Sequence, residues 1–129
     1  MKRILAILLL VAVIGLTGCG KYTSHYNATA FVHSNESDSA FMNFWKFEGR
    51  MVFKLKCREA GQSLAYTAQL ETGSATVYYD NGDGKTELCA VSAGDETRSV
   101  LEGLNPGTVY VIVEADGHCE NGDFHFDIQ

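Results

Sequence analysis

The sharpest run of potential ligand oxygens in this chain is Asp80-Asn81-Gly82-Asp83-Gly84-Lys85. Closely spaced Asp and Asn oxygens interleaved with glycines are what a hard cation such as Ca²⁺ requires. The spacing departs from the helix–loop–helix calcium loop. Asp80 and Asp83 are three apart rather than two, and Val91 stands where that loop places its bidentate glutamate. A hairpin turn accounts for every residue of the run, because Asn-Gly and Asp-Gly both tolerate positive φ. The turn is the preferred reading. A Ca²⁺ site on Asp80 and Asp83 is the alternative, and no other cofactor is expected.

A second polar cluster comprises Asp116, His118, Cys119, Glu120, Asp123 and His125. Cys and His bind Zn²⁺ and copper, but the Cys-x-x-Cys and His-x-x-x-His spacings are missing here, and a solvated loop explains the cluster. Among the aromatics, Trp45, Tyr78 and Tyr79 are the candidate ligand patch, since exposed rings stack on sugars. The competing account is core packing, the commoner fate of aromatic side chains. Enzyme chemistry has no support: there is no Gly-x-Ser-x-Gly elbow, phosphate loop or His-Glu-x-x-His. Cys57 lies beside Lys56 and Arg58, which would activate a thiolate, but its inward place in an alternating strand makes it a core thiol.

The elements that carry these residues are strands. Met51, Phe53, Leu55 and Cys57 alternate with Val52, Lys54, Lys56 and Arg58, which predicts a half-buried strand with a basic outer face. Leu64, Tyr66, Ala68 and Leu70 alternate in the same way. Residues 58–63, with Gly61, read as a hairpin loop joining the two, so that Lys54, Lys56 and Arg58 would face Gln69 and Glu71. Strands over 75–79 and 86–91 flank the Asp80 turn. Residues 108–115 are apolar on both faces and suit a central strand. Phe124, Phe126 and Ile128 mark a final strand. Residues 27–33 and 41–48 are two more, the latter with Phe41, Asn43, Trp45 and Phe47 on one face. Residues 94–102 leave room for a turn of helix. Roughly seven to nine short strands with frequent turn signals predict an all-β, antiparallel β-sandwich, jelly-roll-like or Ig-like, in one domain.

Upstream, Lys2 and Arg3 precede an apolar run over residues 4–14, the length of a signal-peptide core and too short to span a bilayer comfortably. Leu16-Thr17-Gly18-Cys19 closes it and resembles the lipobox of bacterial lipoproteins. That resemblance implies a signal peptide over 1–18, lipidation of Cys19, a linker over 19–25, a β-sandwich over 26–129, and anchoring at the extracytoplasmic face of the cell membrane. Loss of Lys2 and Arg3 would leave eight basic against 16 acidic residues, a formal charge of −8. Such an acidic chain is a poor partner for nucleic acid or anionic lipid, whose phosphates need Lys and Arg. With Cys19 acylated, Cys57, Cys89 and Cys119 remain, and an oxidising compartment permits one bridge. Cys89 with Cys119 is the expected pair.

The order of features also resembles a group of small Gram-positive lipoproteins. The matching pieces are Phe47-Glu48-Gly49-Arg50, residues 70–80 from Leu70 to Asp80, Val109-Tyr110-Val111-Ile112-Val113-Glu114-Ala115, and Glu120-Asn121-Gly122-Asp123-Phe124-His125-Phe126. The resemblance implies a β-sandwich at a Gram-positive cell surface and nothing about activity. The expected function is a lipid-anchored, non-catalytic binding or accessory module of the cell envelope, whose partner is an envelope protein or a glycan. A structural envelope lipoprotein without a small-molecule ligand, and a Ca²⁺-dependent module, are the alternatives.

Overall fold

Alternating apolar residues and glycine-rich turns make the described regular structure entirely β. The computed structural model describes residues 22–129; the signal segment, the lipobox and Cys19 lie outside the described residues. Nine strands follow in order: β1 (His25–Thr29), β2 (Val32–Asn35), β3 (Ser39–Cys57), β4 (Leu64–Gln69), β5 (Ser74–Asp80), β6 (Thr86–Ser92), β7 (Glu96–Leu101), β8 (Gly107–Ala115) and β9 (Cys119–Ile128). All pairings are antiparallel.

The registers reveal a simple plan. β3 runs 19 residues and is the spine. Along one edge lies β9 against its first half and β8 against its second, from Ser39↔Asp127 to Cys57↔Gly107. Along the other edge lie β2 and then β1. β4 and β5 line up end to end along β9 and β8, and β7 and β6 line up along β4 and β5. The molecule is therefore five long antiparallel tracks, each bent near its middle. Left-handed residues mark the bend in every track: Ala30, Gly49, Gly73, Gly94 and Gly117. Gly73 shows the reason. Its φ is +94°, and a Cβ there would lie 2.5 Å from the His118 carbonyl oxygen and 3.0 Å from Cys119 Cα. Only glycine allows both the backbone conformation and the close approach.

Bending folds the sheet into two layers, an antiparallel β-sandwich. The first layer holds β2, the first half of β3, β9, β4 and β7. The second holds the latter half of β3, β8, β5 and β6, with β1 at the bend. Met42, Phe124 and Phe126 of the first layer meet Phe53, Leu55, Val77, Val109 and Val111 of the second in one core. Phe53 and Phe126 touch across it, with ring centroids 6.0 Å apart. The free edge of β3 is covered by side chains. Asn35 mimics a strand: its Oδ1 accepts from Lys54 N at 2.9 Å and its Nδ2 donates to Lys54 O at 3.0 Å.

Several expectations are corrected. The strands ending at Cys57 and starting at Leu64 do not form a hairpin, because β9 lies between them. Lys54 and Lys56 therefore face away from Gln69 and Glu71, on the other layer. Residues 94–102 hold β7 rather than a helical turn. Phe47 shares the core face of Met42 and Phe44 rather than the face of Phe41 and Asn43, because the bend after Phe44 shifts the alternation. Residues 22–25, expected as linker, are bound to the fold. Ser24 Oγ accepts from Val52 N at 2.8 Å, and His25 opens β1.

Candidate functional site: a polar groove on the first layer

Period-two alternation sends every second residue of β3, β9, β4 and β7 to the outer face of the first layer. The registers then place them in rows. Asn43, Asp123, Gln69 and Glu96 stand side by side, and Phe41, His125, Thr67 and Arg98 form the next row. His125 stacks on Phe41, with centroids 5.5 Å apart, and its Nε2 lies 3.0 Å from Asp123 Oδ1.

A groove of about 620 Å³ opens beside the first row. Its walls are the amides Asn43, Gln69 and Asn121 and the carboxylates Glu71, Asp95, Glu96 and Asp123; Phe44, Leu70 and Gly122 form part of the lining. Among the described residues, no Lys or Arg lines it. Asn121 Nδ2 donates to Glu71 Oε1 at 2.7 Å, which ties the two walls. A second depression of about 440 Å³ continues past His125 to Thr67, Arg98 and Val100. Trp45 follows Phe44, which lines the groove, on β3 and is 47% exposed. Backbone geometry sets this corner. Asn121 is left-handed, with φ 52°, and the Phe44 ring lies where a side chain on Gly122 would be. Planar amides and carboxylates beside an exposed ring can bond vicinal hydroxyls and stack on a sugar face.

The three residues expected to form an aromatic patch do not converge. Trp45 belongs to the first layer. Tyr78 lies on the outer face of the second, with Lys85 Nζ 4.4 Å from its ring centroid. Tyr79, one residue on, points to the opposite face and rims a small cavity of about 120 Å³ with Asn81 and Asn105. Of the expected patch, only Trp45 shares a layer with the groove, one residue from Phe44 of its lining.

Asp80 is 1% exposed and caps its own turn. Its Oδ1 accepts from Gly82 N at 2.8 Å and Gly84 N at 3.1 Å, and its Oδ2 accepts from Tyr22 Oη at 2.7 Å. Desolvation and the adjoining Asp80 carboxylate push the Tyr22 phenol up to about 12. Asp83 is exposed and apart from this network. Among the described residues, no group of three or more His, Cys, Asp and Glu is placed to hold a metal ion.

The expected Cys89–Cys119 bridge is absent; Cys57, Cys89 and Cys119 are free thiols. Cys89 sits on β6 at the margin of the second layer, and Cys119 starts β9, where its Sγ donates to Ser74 O at 3.1 Å. Burial, aided by Glu87, pushes the Cys89 thiol up to about 11. Burial also raises Cys119, against the lowering effect of its backbone hydrogen bonds.

No family model matches this chain, and neither does any curated protein. Solved structures with a related outline include a family 29 carbohydrate-binding module, 17% identical, covering 81% of this chain and 75% of its own, TM-score 0.43. Another is TmCBM61 in complex with beta-1,4-galactotriose, 13% identical, covering 81% and 83%, TM-score 0.45. These likenesses are too distant to assign a family or a ligand.

The groove residues Asn43, Gln69, Glu71, Glu96 and Asn121 escaped the sequence reading. Their signal was the polar half of each alternating strand. Bringing them together required the pairing of β9 with both β3 and β4, which no local pattern encodes.

Proposed function

We propose that this protein is a lipid-anchored, non-catalytic binding module of the bacterial cell envelope, and that its first-layer groove holds a glycan. The observation that carries the reading is the groove itself: three amides and four carboxylates with Phe44 and Leu70 in the lining, and an exposed tryptophan next in sequence to Phe44. Sugars are bound by such sets because each planar polar group can serve two neighbouring hydroxyls, while the ring covers the C–H face. The anchor would be the acylated Cys19, on the outer face of a Gram-positive cell membrane. Acylation holds the module at high local concentration near wall material, so modest affinity per site suffices.

Trp45 is the chain's only tryptophan, which supplies the test. Titration with a panel of neutral and amino-sugar oligosaccharides should shift or quench its emission for the bound class. Asn43→Ala and Gln69→Ala should weaken that response about tenfold each, the cost of losing a hydrogen bond of roughly 1–1.5 kcal/mol. Binding that is unaffected by Asn43→Ala, Gln69→Ala and Trp45→Ala would place the glycan elsewhere. No response from any glycan would leave an envelope protein as the partner.

A further inference from the structure

The two outer faces of the sandwich differ in charge. Arg50, Lys54, Lys56, Arg58 and Lys85 belong to the second layer or its turns, whereas the first layer carries Arg98 and, near the bend, Lys46, which pairs with Glu120 in the β3–β9 register. Glu114 pairs with both Arg50, at 3.1 Å, and Lys85, at 2.7 Å. Lys54 and Lys56 are exposed and have no carboxylate partner among the described residues. Between them and β5 lies Tyr110, whose ring meets that of Tyr22 edge-on with centroids 5.3 Å apart. Tyrosines flanked by lysines suit a membrane–water boundary, where the ring sits at headgroup level and the ammonium meets lipid phosphate.

The start of the described chain is fixed to the same face. Tyr22 is held by Tyr110 and Asp80, and Ser24 by Val52. Cys19 is three residues before Tyr22, so the attachment point's Cα lies within about 11 Å of the tyrosine's even if the chain is fully extended. That reach is comparable to the distance over which charges act in physiological salt. The carboxylates of the first-layer groove would be repelled by an anionic surface and the lysines of the second attracted, so both effects turn the molecule the same way.

We propose that the outer face of the second layer, with Lys54, Lys56 and Tyr110 beside the Tyr22 latch, rests on an anionic phospholipid membrane and turns the first-layer groove away from the bilayer. The proposal rests on the anchor reading of Cys19. It gives the latch a role: without it the domain would swing on its linker.

The test uses the full chain, produced in bacteria, purified from membranes, and returned to vesicles of phosphatidylglycerol or phosphatidylcholine. A fluorophore is placed on Thr108→Cys, which pairs with Lys56 on the second layer, or on Thr67→Cys, in the His125 row of the first. Headgroup spin-labelled lipid is the quencher. Quenching several-fold stronger at 108 than at 67 in phosphatidylglycerol, reduced in phosphatidylcholine and by K54E together with K56E, is the expected result. Equal quenching of an acylated chain, or stronger quenching at 67, overturns the orientation alone. A chain without added acyl mass that sediments with neither vesicle overturns the proposal together with the anchor. Protection of position 108 by soluble polyglycerol phosphate, without quenching by phosphatidylglycerol, assigns the face to an anionic polymer and overturns the lipid as partner.

Discussion

Tyr22→Phe removes one hydroxyl and leaves the ring against Tyr110. The lost bond is short, 2.7 Å, and its acceptor is the buried Asp80 carboxylate. Hydrogen bonds to charged groups contribute about 1.5–3 kcal/mol; Tyr22 is half-buried, and competition from water argues for the low end, about 1–1.5 kcal/mol. Asp80→Ala takes away the acceptor of the bonds from Tyr22, Gly82 and Gly84 and strands the two glycine amides, at a cost of about 3–5 kcal/mol. Because one bond is common to both, the double variant should fall short of additivity by about 1–1.5 kcal/mol. Urea unfolding of the soluble domain measures all three, and each kcal/mol corresponds to about 4–8 °C in Tm for a domain near this size. The pH arm has a definite sign. The Tyr22 phenol is raised from 10.0 to about 12, so its contribution is complete below pH 10 and drains away as pH rises through 12. Tyr22→Phe should flatten that loss. A coupling under about 0.3 kcal/mol, with an unchanged alkaline profile, would refute the latch.

Other outcomes follow from the same geometry. Ellman's reagent at pH 8 should react slowly with Cys89 and Cys119 in the folded domain and quickly in denaturant, since both thiols are raised and partly or fully buried; a native mass 2 Da lower than the reduced form, roughly the loss of two hydrogens, would reveal a bridge instead. Ca²⁺ and chelator should give the same Tm, because Asp80 already serves three donors. A Ca²⁺-dependent gain that Asp83→Asn abolishes would reinstate the carboxylate pair as a metal site. Gly122→Ala should cost about 1–3 kcal/mol by displacing the Phe44 ring and should also disturb the groove floor, read by denaturant melts and Trp45 emission.

Local pattern carried the sequence reading wherever a strand was straight. Alternation in residues 51–57 and 64–70 identified which side chains reach the core, and Ile112 was correctly seen as apolar on the second face of β8, where it is fully buried beside Val52 and Tyr78. The Asp80 turn was found because its chemistry is contained in five residues. Failures cluster at the bend. Phe47 was put on the wrong face since the phase of alternation changes between Phe44 and Met51, and β3 was read as two strands for the same cause. Pairing was the second blind spot: consecutive strands usually neighbour one another, yet here β9 enters between β3 and β4. The groove inherits that difficulty, because its walls come from β3, β9, β4 and the loop before β7.

The position of β9 has a further consequence for how the chain acquires its shape. Its ten residues lie near the end of the sequence, yet they form the seam between β3 and β4 in the middle of the first layer. A nascent chain that stops before Cys119 can join β8 to β3 and β5, but the first layer would be left with two unsealed edges. Closure must wait until β9 has been made, and the contacts that achieve it reach from β9 back to β3 and β4, a topology associated with slow folding. The exposed edges of β3 and β4 in that interval are open to pairing with other chains. Assembly of this protein is therefore governed by its last strand, so truncations within β9 should yield aggregates rather than a smaller domain.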